Sequence, residues 1–351
     1  MLLVTLLTFA AQEVAPATAK SQFYGVHYLS GRLLQRDVGK MDRGGVGVVR
    51  RLLLWARVEP RKGKFRWGET DRVVGDLASS GIRLLPFVYG SPGYVAHDLA
   101  VPPVGSARKL KLWREFLRAA VNRYGPGGDY WTSPGLYPLQ HPGKPDVPIT
   151  EWQIWNEPNL DKFFLPHASV GRYVRLVRNS HRAIEGADPP AEIMLAGLSG
   201  RGHPAPAKFL DRFYRAHRIK RSFDSVAINP YAPSISQVGA KIRNLRQVMR
   251  KHRDGKTAAS ITELGWGSGP PDRFGLNKGL RGQKRMLTRS FRLIRRHRGA
   301  WHLTSLIWFD FRDPLPSVGG CSFCNTAGLL RHAGKPKPAW RAYKRFTGAA
   351  R

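Results

Sequence analysis

The chain has 351 residues, which is long enough for a single eight-stranded α/β barrel with insertions. A hydrophobic content of 42% and an aromatic content of 11% exclude a disordered or fibrous protein. The 58 Lys and Arg residues against 24 Asp and Glu give a formal charge of +34, so an anionic partner must be considered.

The first segment reads as an export signal. Residues 1–11 form an apolar run too short to span a bilayer, and Ala17-Thr18-Ala19 offers small residues at a cleavage site. We therefore expect a signal peptide over 1–19, a single folded domain over 20–351, and a secreted or extracytoplasmic monomer. No later run is apolar for long enough to predict a transmembrane segment.

Short strand-like runs alternate with longer amphipathic stretches after this leader, which is the pattern of repeated βα units. The predicted strands are 23–28, 46–55, 83–88, 151–155, 192–197, 225–228, 259–263 and 305–309. The predicted helices are 32–41, 69–80, 107–124, 170–185, 206–219, 236–252, 278–298 and 338–346. Eight such units predict a closed (β/α)8 TIM barrel, and no GxGxxG turn follows the first strand to favour a dinucleotide fold.

Three irregular segments interrupt this pattern. The longest, 125–148, is rich in Gly, Pro and aromatic residues and is expected to cover the barrel mouth, although a connection that enters a strand can also lie at the opposite end. Segments 265–274 and 313–328 follow the seventh and eighth strands. We expect both at the C-terminal face, where barrel enzymes keep their active sites.

Only two cysteines occur, Cys321 and Cys324. A zinc site needs further ligands, and His332 is isolated in the sequence, so no metal is expected. In an exported protein a small loop disulfide is the favoured interpretation. A redox role is the alternative, but the strand-then-helix setting of a thioredoxin-like motif is missing.

Two glutamates stand at the carboxyl ends of predicted strands. Glu157 ends the fourth strand in Trp152-Gln153-Ile154-Trp155-Asn156-Glu157-Pro158, and Glu263 ends the seventh in Ser260-Ile261-Thr262-Glu263-Leu264-Gly265. Glycoside cleavage needs such a pair, because one carboxylic acid protonates the leaving oxygen while a carboxylate attacks or stabilises the anomeric carbon. No metal or other cofactor is required.

These motifs resemble the signature of clan A glycoside hydrolases, the retaining barrel enzymes that include families 5 and 39 with cellulases and β-xylosidases. Asn156-Glu157-Pro158 and Thr262-Glu263 carry the likeness most strongly. Weaker likeness extends over nearly the whole chain after the leader, in Val49-Arg50, Val58-Glu59-Pro60, Phe65-Arg66-Trp67, Gly81 to Pro86 and Lys337 to Trp340.

The resemblance implies a retaining hydrolase of β-linked glycans, with Glu157 as the acid/base and Glu263 as the nucleophile. Asn156 would hydrogen-bond the sugar 2-hydroxyl. Arg50 would lie beneath the nucleophile, with Arg51 as the alternative if the strand register slips by one. Tyr231 would hydrogen-bond the nucleophile, and Trp308 would form an aromatic floor for the sugar.

One residue departs from the pattern of the relatives, many of which carry a histidine two residues before the tyrosine. Asn229 stands there, which weakens the assignment of the sixth strand. His27 and Trp266, together with Tyr28 and Tyr89, are further candidates for lining sugar subsites, although packing at the barrel rim explains such residues equally well.

Two other functions stay open. The Asn229 departure and the aromatic residues at the rim are compatible with a catalytically inactive barrel that binds polysaccharide, and the charge of +34 is compatible with a basic surface that binds an acidic polysaccharide, an anionic cell surface or another polyanion. The basic residues fall at helical spacing in probable helices, which is typical of a solvated outer face. No helix-turn-helix, RRM or zinc-finger signature occurs, so no specific nucleic acid is expected.

Overall fold

The computed structural model describes residues 20–29, 31–315 and 321–349. The predicted leader over 1–19 lies outside these residues. The strands are β1 (Tyr24–His27), β2 (Val48–Leu54), β3 (Arg83–Tyr89), β4 (Glu151–Ile154), β5 (Glu192–Leu195), β6 (Leu198–Ser199), β7 (Ser225–Asn229), β8 (Ala258–Leu264) and β9 (Leu303–Trp308).

All pairings between these strands are parallel, and β1 lies between β2 and β9. The sheet closes on itself through the pairing of Met194 in β5 with Ser225 in β7. The two-residue strand β6 follows β5 after Ala196 and Gly197 and pairs with β7, so β5 and β6 form one interrupted barrel strand. The described chain is therefore an eight-stranded (β/α)8 barrel, as predicted.

Helices connect the strands around the outside. They are α1 (Gln35–Arg43), α2 (Trp55–Val58), α3 (Gly68–Ala78), α4 (Ala107–Tyr124), α5 (Asp129–Thr132), α6 (Tyr137–Gln140), α7 (Val170–Glu185), α8 (Pro206–Tyr214), α9 (Ile235–Lys251), α10 (Gly279–His297) and α11 (Pro338–Thr347). The predicted helix 206–219 ends early, at Tyr214, and the positive φ of 52° at Arg218 excludes a continuous helix as far as residue 219. Within the described ranges, no helix combines the length and apolarity needed to cross a bilayer.

The pleat of the strands separates two cores. Val48, Leu85, Met194, Ala227 and Ile307 form one small cluster that fills the barrel interior. The alternate side chains face the helices and join the large outer cluster. Because side chains alternate along a strand, Arg50, two residues after Val48, also faces the interior.

The segment 125–148 does not cover the barrel mouth, which corrects the first expectation. The Tyr130 hydroxyl donates to the Asp71 carbonyl of α3 (2.7 Å), and the Trp131 indole donates to the Tyr124 carbonyl at the end of α4 (3.0 Å). The segment leaves α4 and enters β4 at its amino end, so it begins at the face opposite the mouth. Its aromatic residues then pack on the outside of the barrel.

The loops after β8 and β9 lie together at the C-terminal face, as predicted. The Ser268 amide donates to the Thr326 carbonyl (2.8 Å), and the Thr326 hydroxyl donates to the Asn277 side chain (2.9 Å). Cys321 and Cys324 form the expected disulfide. Phe323, between these cysteines, packs its ring 5.3 Å from that of Tyr231, which places the disulfide loop beside the barrel mouth.

Candidate active site

Both predicted glutamates lie in the mouth of the barrel and are nearly buried, with exposed fractions of 7% for Glu157 and 8% for Glu263. Glu263 is the penultimate residue of β8, at the carboxyl end of the strand. Glu157 follows β4 through a sharp turn in which Trp155 (φ 73°) and Glu157 itself (φ 39°) adopt left-handed backbone conformations. Such strain in residues other than glycine is concentrated at functional sites, where the surrounding structure holds it in place.

Gly265 permits the backbone to follow this path after Glu263. A Cβ atom at Gly265 would overlap the carbonyl oxygen of Phe309, at the point where the Phe309 amide bonds Leu264 (3.0 Å). Glycine is therefore required where the ends of β8 and β9 approach each other.

Each carboxylate oxygen of Glu263 has its own donor. Arg50 donates from one guanidinium nitrogen to Oε1 (2.6 Å), and the Tyr231 hydroxyl donates to Oε2 (2.8 Å). Burial and the neighbouring carboxylates raise the pKa of Tyr231 well above its ordinary value, so this hydroxyl keeps its proton. These two donors fix the orientation of the Glu263 side chain.

Arg50, in β2, also contacts side chains from β3 and from β4 and the loop that follows it. Its Nε atom donates to Gln153 Oε1 (2.6 Å), its second terminal nitrogen donates to Asn156 Oδ1 (3.0 Å), and its guanidinium lies 4.0 Å from the ring centre of Phe87. The alternative, Arg51, points the other way and donates to the Gly31 carbonyl (2.8 Å). The strand register therefore selects Arg50.

Glu157 has a different surrounding. Burial raises its pKa to about 7, the negative charge of Glu263 adds to this rise, and a hydrogen bond from Asn229 opposes it. The Asn229 amide nitrogen donates to Glu157 Oε1 (3.0 Å), while the Thr262 hydroxyl donates to Asn229 Oδ1 (2.8 Å) and fixes the amide orientation. The residue that departs from the relatives thus contacts one of the two glutamates.

The assignments of Trp308 and Trp266 to the sugar site are wrong. Trp308 faces the helices, where its ring lies 6.2 Å from that of Phe291 in α10 and its indole donates to the Ala327 carbonyl (3.1 Å). Trp266 packs on Trp308 at 6.1 Å and donates to the Ala232 carbonyl (3.0 Å). Both side chains are fully buried outside the barrel.

Phe309, one residue after Trp308, supplies the aromatic ring that faces the mouth. Its ring lies 5.1 Å from His27 and 6.1 Å, edge-on, from Tyr231. The error is one of register: a shift by one residue moves every side chain of a strand to its other face.

His27 does belong to the site floor. It pairs with Arg50 in the strand register, is 1% exposed, and places Nδ1 3.8 Å from Asp310 Oδ1. Neither ring nitrogen has a hydrogen-bond partner among the described residues. Burial lowers the pKa of His27 well below its ordinary value and raises that of Asp310 well above its own.

The other two aromatic candidates lie at the rim of the barrel. The Tyr28 hydroxyl donates a hydrogen bond to Asp37 (3.1 Å), and the Tyr89 ring lies 4.6 Å from that of Trp155.

Sequence reasoning missed four residues of this site: Gln153, Asn229 as a contact of Glu157, Phe309 and Asp310. Gln153 carried a usable signal, since a polar side chain in a buried strand two residues before Trp155 must bond within the barrel. Asp310 carried none, because nothing in the sequence brings it to His27.

No family model and no curated protein matches the chain. Solved structures do match its fold. A family 39 glycoside hydrolase from Bacteroides cellulosilyticus WH2 aligns with a TM-score of 0.70 and 19% identity over 94% of this chain and 64% of that chain. A monomeric β-xylosidase from Caulobacter crescentus CB15 aligns with a TM-score of 0.70 and 20% identity over 93% of this chain and 68% of that one.

A xylanase from Thermoanaerobacterium saccharolyticum is similar over 99% of its own length, with a TM-score of 0.63 and 13% identity over 95% of this chain. The chain spans about two thirds of the length of the first two structures. These likenesses establish the (β/α)8 barrel as the fold, which is also the fold that the resemblance drawn from the sequence implies.

Replacing Glu157 with Gln should stabilise the protein above neutral pH. The pKa of Glu157 is about 7 in the folded protein and about 4.3 in an unfolded chain, so its contribution to stability is full below about pH 4 and is lost as the pH rises through 7. We expect Glu157→Gln to raise the free energy of unfolding by about 2 to 3 kcal/mol more at pH 8 than at pH 5. Guanidinium titrations at both pH values measure this difference.

Glu115→Gln serves as the control, because this α4 side chain is 44% exposed and its ion-pair partner is Lys111, so its replacement should have the same small effect at both pH values. An equal effect of Glu157→Gln at the two pH values would contradict the raised pKa.

Proposed function

We propose that the chain is a retaining glycoside hydrolase that cleaves β-linked glycans, with Glu263 as the nucleophile and Glu157 as the general acid/base. One observation carries this proposal: two buried glutamates share one barrel mouth but have different surroundings. Arg50 and Tyr231 each donate a hydrogen bond to one carboxylate oxygen of Glu263, whereas burial raises the pKa of Glu157 to about 7. Glycosidases need this division between a nucleophile and an acid.

In the first step, the Glu263 carboxylate attacks the anomeric carbon while Glu157 transfers its proton to the leaving oxygen. The bond from the anomeric carbon to that oxygen breaks, and a covalent glycosyl ester forms on Glu263. Asn156 accepts from Arg50 through Oδ1 (3.0 Å), which leaves its amide nitrogen to donate to the sugar, in keeping with the role that the resemblance implies.

In the second step, Glu157 accepts a proton instead of donating one. Once Glu263 is esterified its negative charge is gone, so one cause of the raised pKa of Glu157 disappears. The Glu157 carboxylate then accepts a proton from water, the hydroxide oxygen bonds to the anomeric carbon, and the ester bond to Glu263 breaks. Asn229 favours the ionised form of Glu157 that this step needs.

We also propose that the protein works outside the cytoplasm. The leader motif over 1–19 and the bond between Cys321 and Cys324 support this, because disulfides persist in oxidising compartments.

An inactive barrel that binds polyanions is the second candidate function. It is favoured by the composition of α10, which carries seven Lys and Arg and no Asp or Glu over Gly279–His297. This function would be steeply salt-dependent and indifferent to the two glutamates.

Removing either glutamate should abolish turnover. On a β-glycoside that the native protein cleaves, we expect Glu157→Gln and Glu263→Gln each to lower kcat/KM at least about a thousandfold. A dinitrophenyl leaving group needs no proton, so it should restore the first step in Glu157→Gln but not in Glu263→Gln. Assays on alkyl and dinitrophenyl glycosides separate the two roles.

Glu185→Gln, on the exposed face of α7, is the matched control and should keep native activity. Near-native turnover in either active-site variant would exclude the assignment of that glutamate.

The alkaline limb of the pH profile should report Glu157. Because the general acid must be protonated, kcat/KM should fall about tenfold per pH unit above about pH 7. The Asn229 hydrogen bond lowers the pKa of Glu157, so Asn229→Ala should move this limb to higher pH. Initial rates between pH 4 and 10 measure both. A limb that does not move in Asn229→Ala would show that the limb reports another group.

A further inference from the structure

A second feature of the mouth is a cavity of about 450 Å³ beside Tyr231, which we call the basic cavity. It lies between the loop after β6, the loop after β7 and helix α9. Its lining includes Arg201, Gln237, Lys241, Asn244 and Phe274.

The basic cavity lies on the Glu157 side of the site. Asn159, two residues after Glu157, donates from its side-chain amide to the Ser199 carbonyl (3.0 Å) and accepts from the Ser199 amide (2.9 Å). The loop that carries Gly200 and Arg201 is thereby tied to the loop that carries Glu157. Because the acid protonates the leaving oxygen, the leaving group lies on this side, and the cavity is where it would extend.

The charged side chains that line the basic cavity are all positive. Arg201 and Lys241 are the charged residues among its described lining, and no Asp or Glu joins them. A second cavity, of about 460 Å³, at the ends of β1 and β9 has a mixed lining in which Asp310 and Asp313 accompany the arginines. The two cavities therefore differ in the charge of their linings.

The two cations are arranged differently around the cavity. Lys241 donates to the Gly200 carbonyl (2.7 Å), and burial lowers its pKa, a cost that a bound anion would offset. Arg201 is exposed, and its guanidinium lies 5.2 Å from the ring centre of Phe274. A guanidinium fork matches a carboxylate through two parallel hydrogen bonds.

Phe274 adds an apolar surface. The residue is 47% exposed, and the Arg273 guanidinium lies 4.8 Å from the centre of its ring. An exposed aromatic ring can stack on the apolar face of a sugar. Gln237 and Asn244 add amide groups that can bond hydroxyls.

We propose that the basic cavity binds a carboxylated sugar, so that the glycan cleaved here carries a uronic acid unit on its leaving-group side. This inference rests on the proposed function for the direction of the substrate. Arg201 and Lys241 bind the carboxylate, and Phe274 stacks on the ring. The positive net charge attracts such a polymer to the mouth over a longer range.

The test compares sugars that differ only in their carboxylates. The full chain bearing Glu263→Gln is titrated by calorimetry with β-1,4-glucuronate trimer against cellotriose, and with β-1,4-mannuronate trimer against mannotriose. We expect the acidic member of at least one pair to bind about tenfold more tightly. Arg201→Gln combined with Lys241→Gln should bring that ratio close to one.

The matched control removes the same charge elsewhere, through Arg285→Gln with Arg289→Gln on α10, and should keep the preference. Phe274→Ala should weaken both members of a pair alike, because stacking does not depend on charge. Equal affinities within both pairs, or an equal loss of preference in the α10 control, would overturn the proposal.

The same titrations separate this inference from the proposed function. Binding is measured without turnover, so an acid preference in a protein that cleaves no glycan would refute only the catalytic assignment. Cleavage of neutral glycans without any acid preference would refute only the uronate site.

Discussion

The ion pair between Arg50 and Glu263 is the interaction on which the site depends. A guanidinium with no exposed surface is tolerated inside a barrel only because carboxylate and amide oxygens from two other strands surround it. Removing one partner of such a buried pair typically costs about 3 to 5 kcal/mol, because the other charge is left uncompensated. The two charges of the pair also act on Glu157: the negative charge of Glu263 adds to the effect of burial and raises the pKa of Glu157, whereas the positive charge of Arg50 lowers it. The pair therefore orients one glutamate and influences the pKa of the other.

The geometry around this pair is unfavourable to stability in several places. Glu157 is buried beside a like charge, the backbone is left-handed at Trp155 and Glu157, and His27 is buried without a hydrogen-bond partner among the described residues. Each of these features is expected at a site arranged for chemistry. The barrel tolerates them because the interior cluster and the outer helices bury a large apolar core.

The barrel and the glutamate pair were predictable from sequence because they rest on local patterns. Alternation of strand-like and helical runs determines the fold class, and Glu157 and Glu263 each stand where a strand ends. The register of a strand, meaning which of its side chains face the barrel interior, was harder to predict from the sequence. One residue separates Trp308, which faces the helices, from Phe309, which faces the mouth, and both are aromatic residues of one apolar run. Asn229 could be seen as a departure, but its bond to Glu157 depends on the approach of β7 to the β4 loop, which no local pattern encodes.

Covalent trapping is the measurement that tests the central claim most directly. A 2-deoxy-2-fluoro glycoside with a good leaving group slows the second step, so the glycosyl ester should accumulate on the nucleophile. Peptide mapping by mass spectrometry should then find the added sugar on the peptide that contains Glu263, and no label in Glu263→Gln. A label on another residue, or steady hydrolysis with no labelled intermediate at any time, would contradict the account.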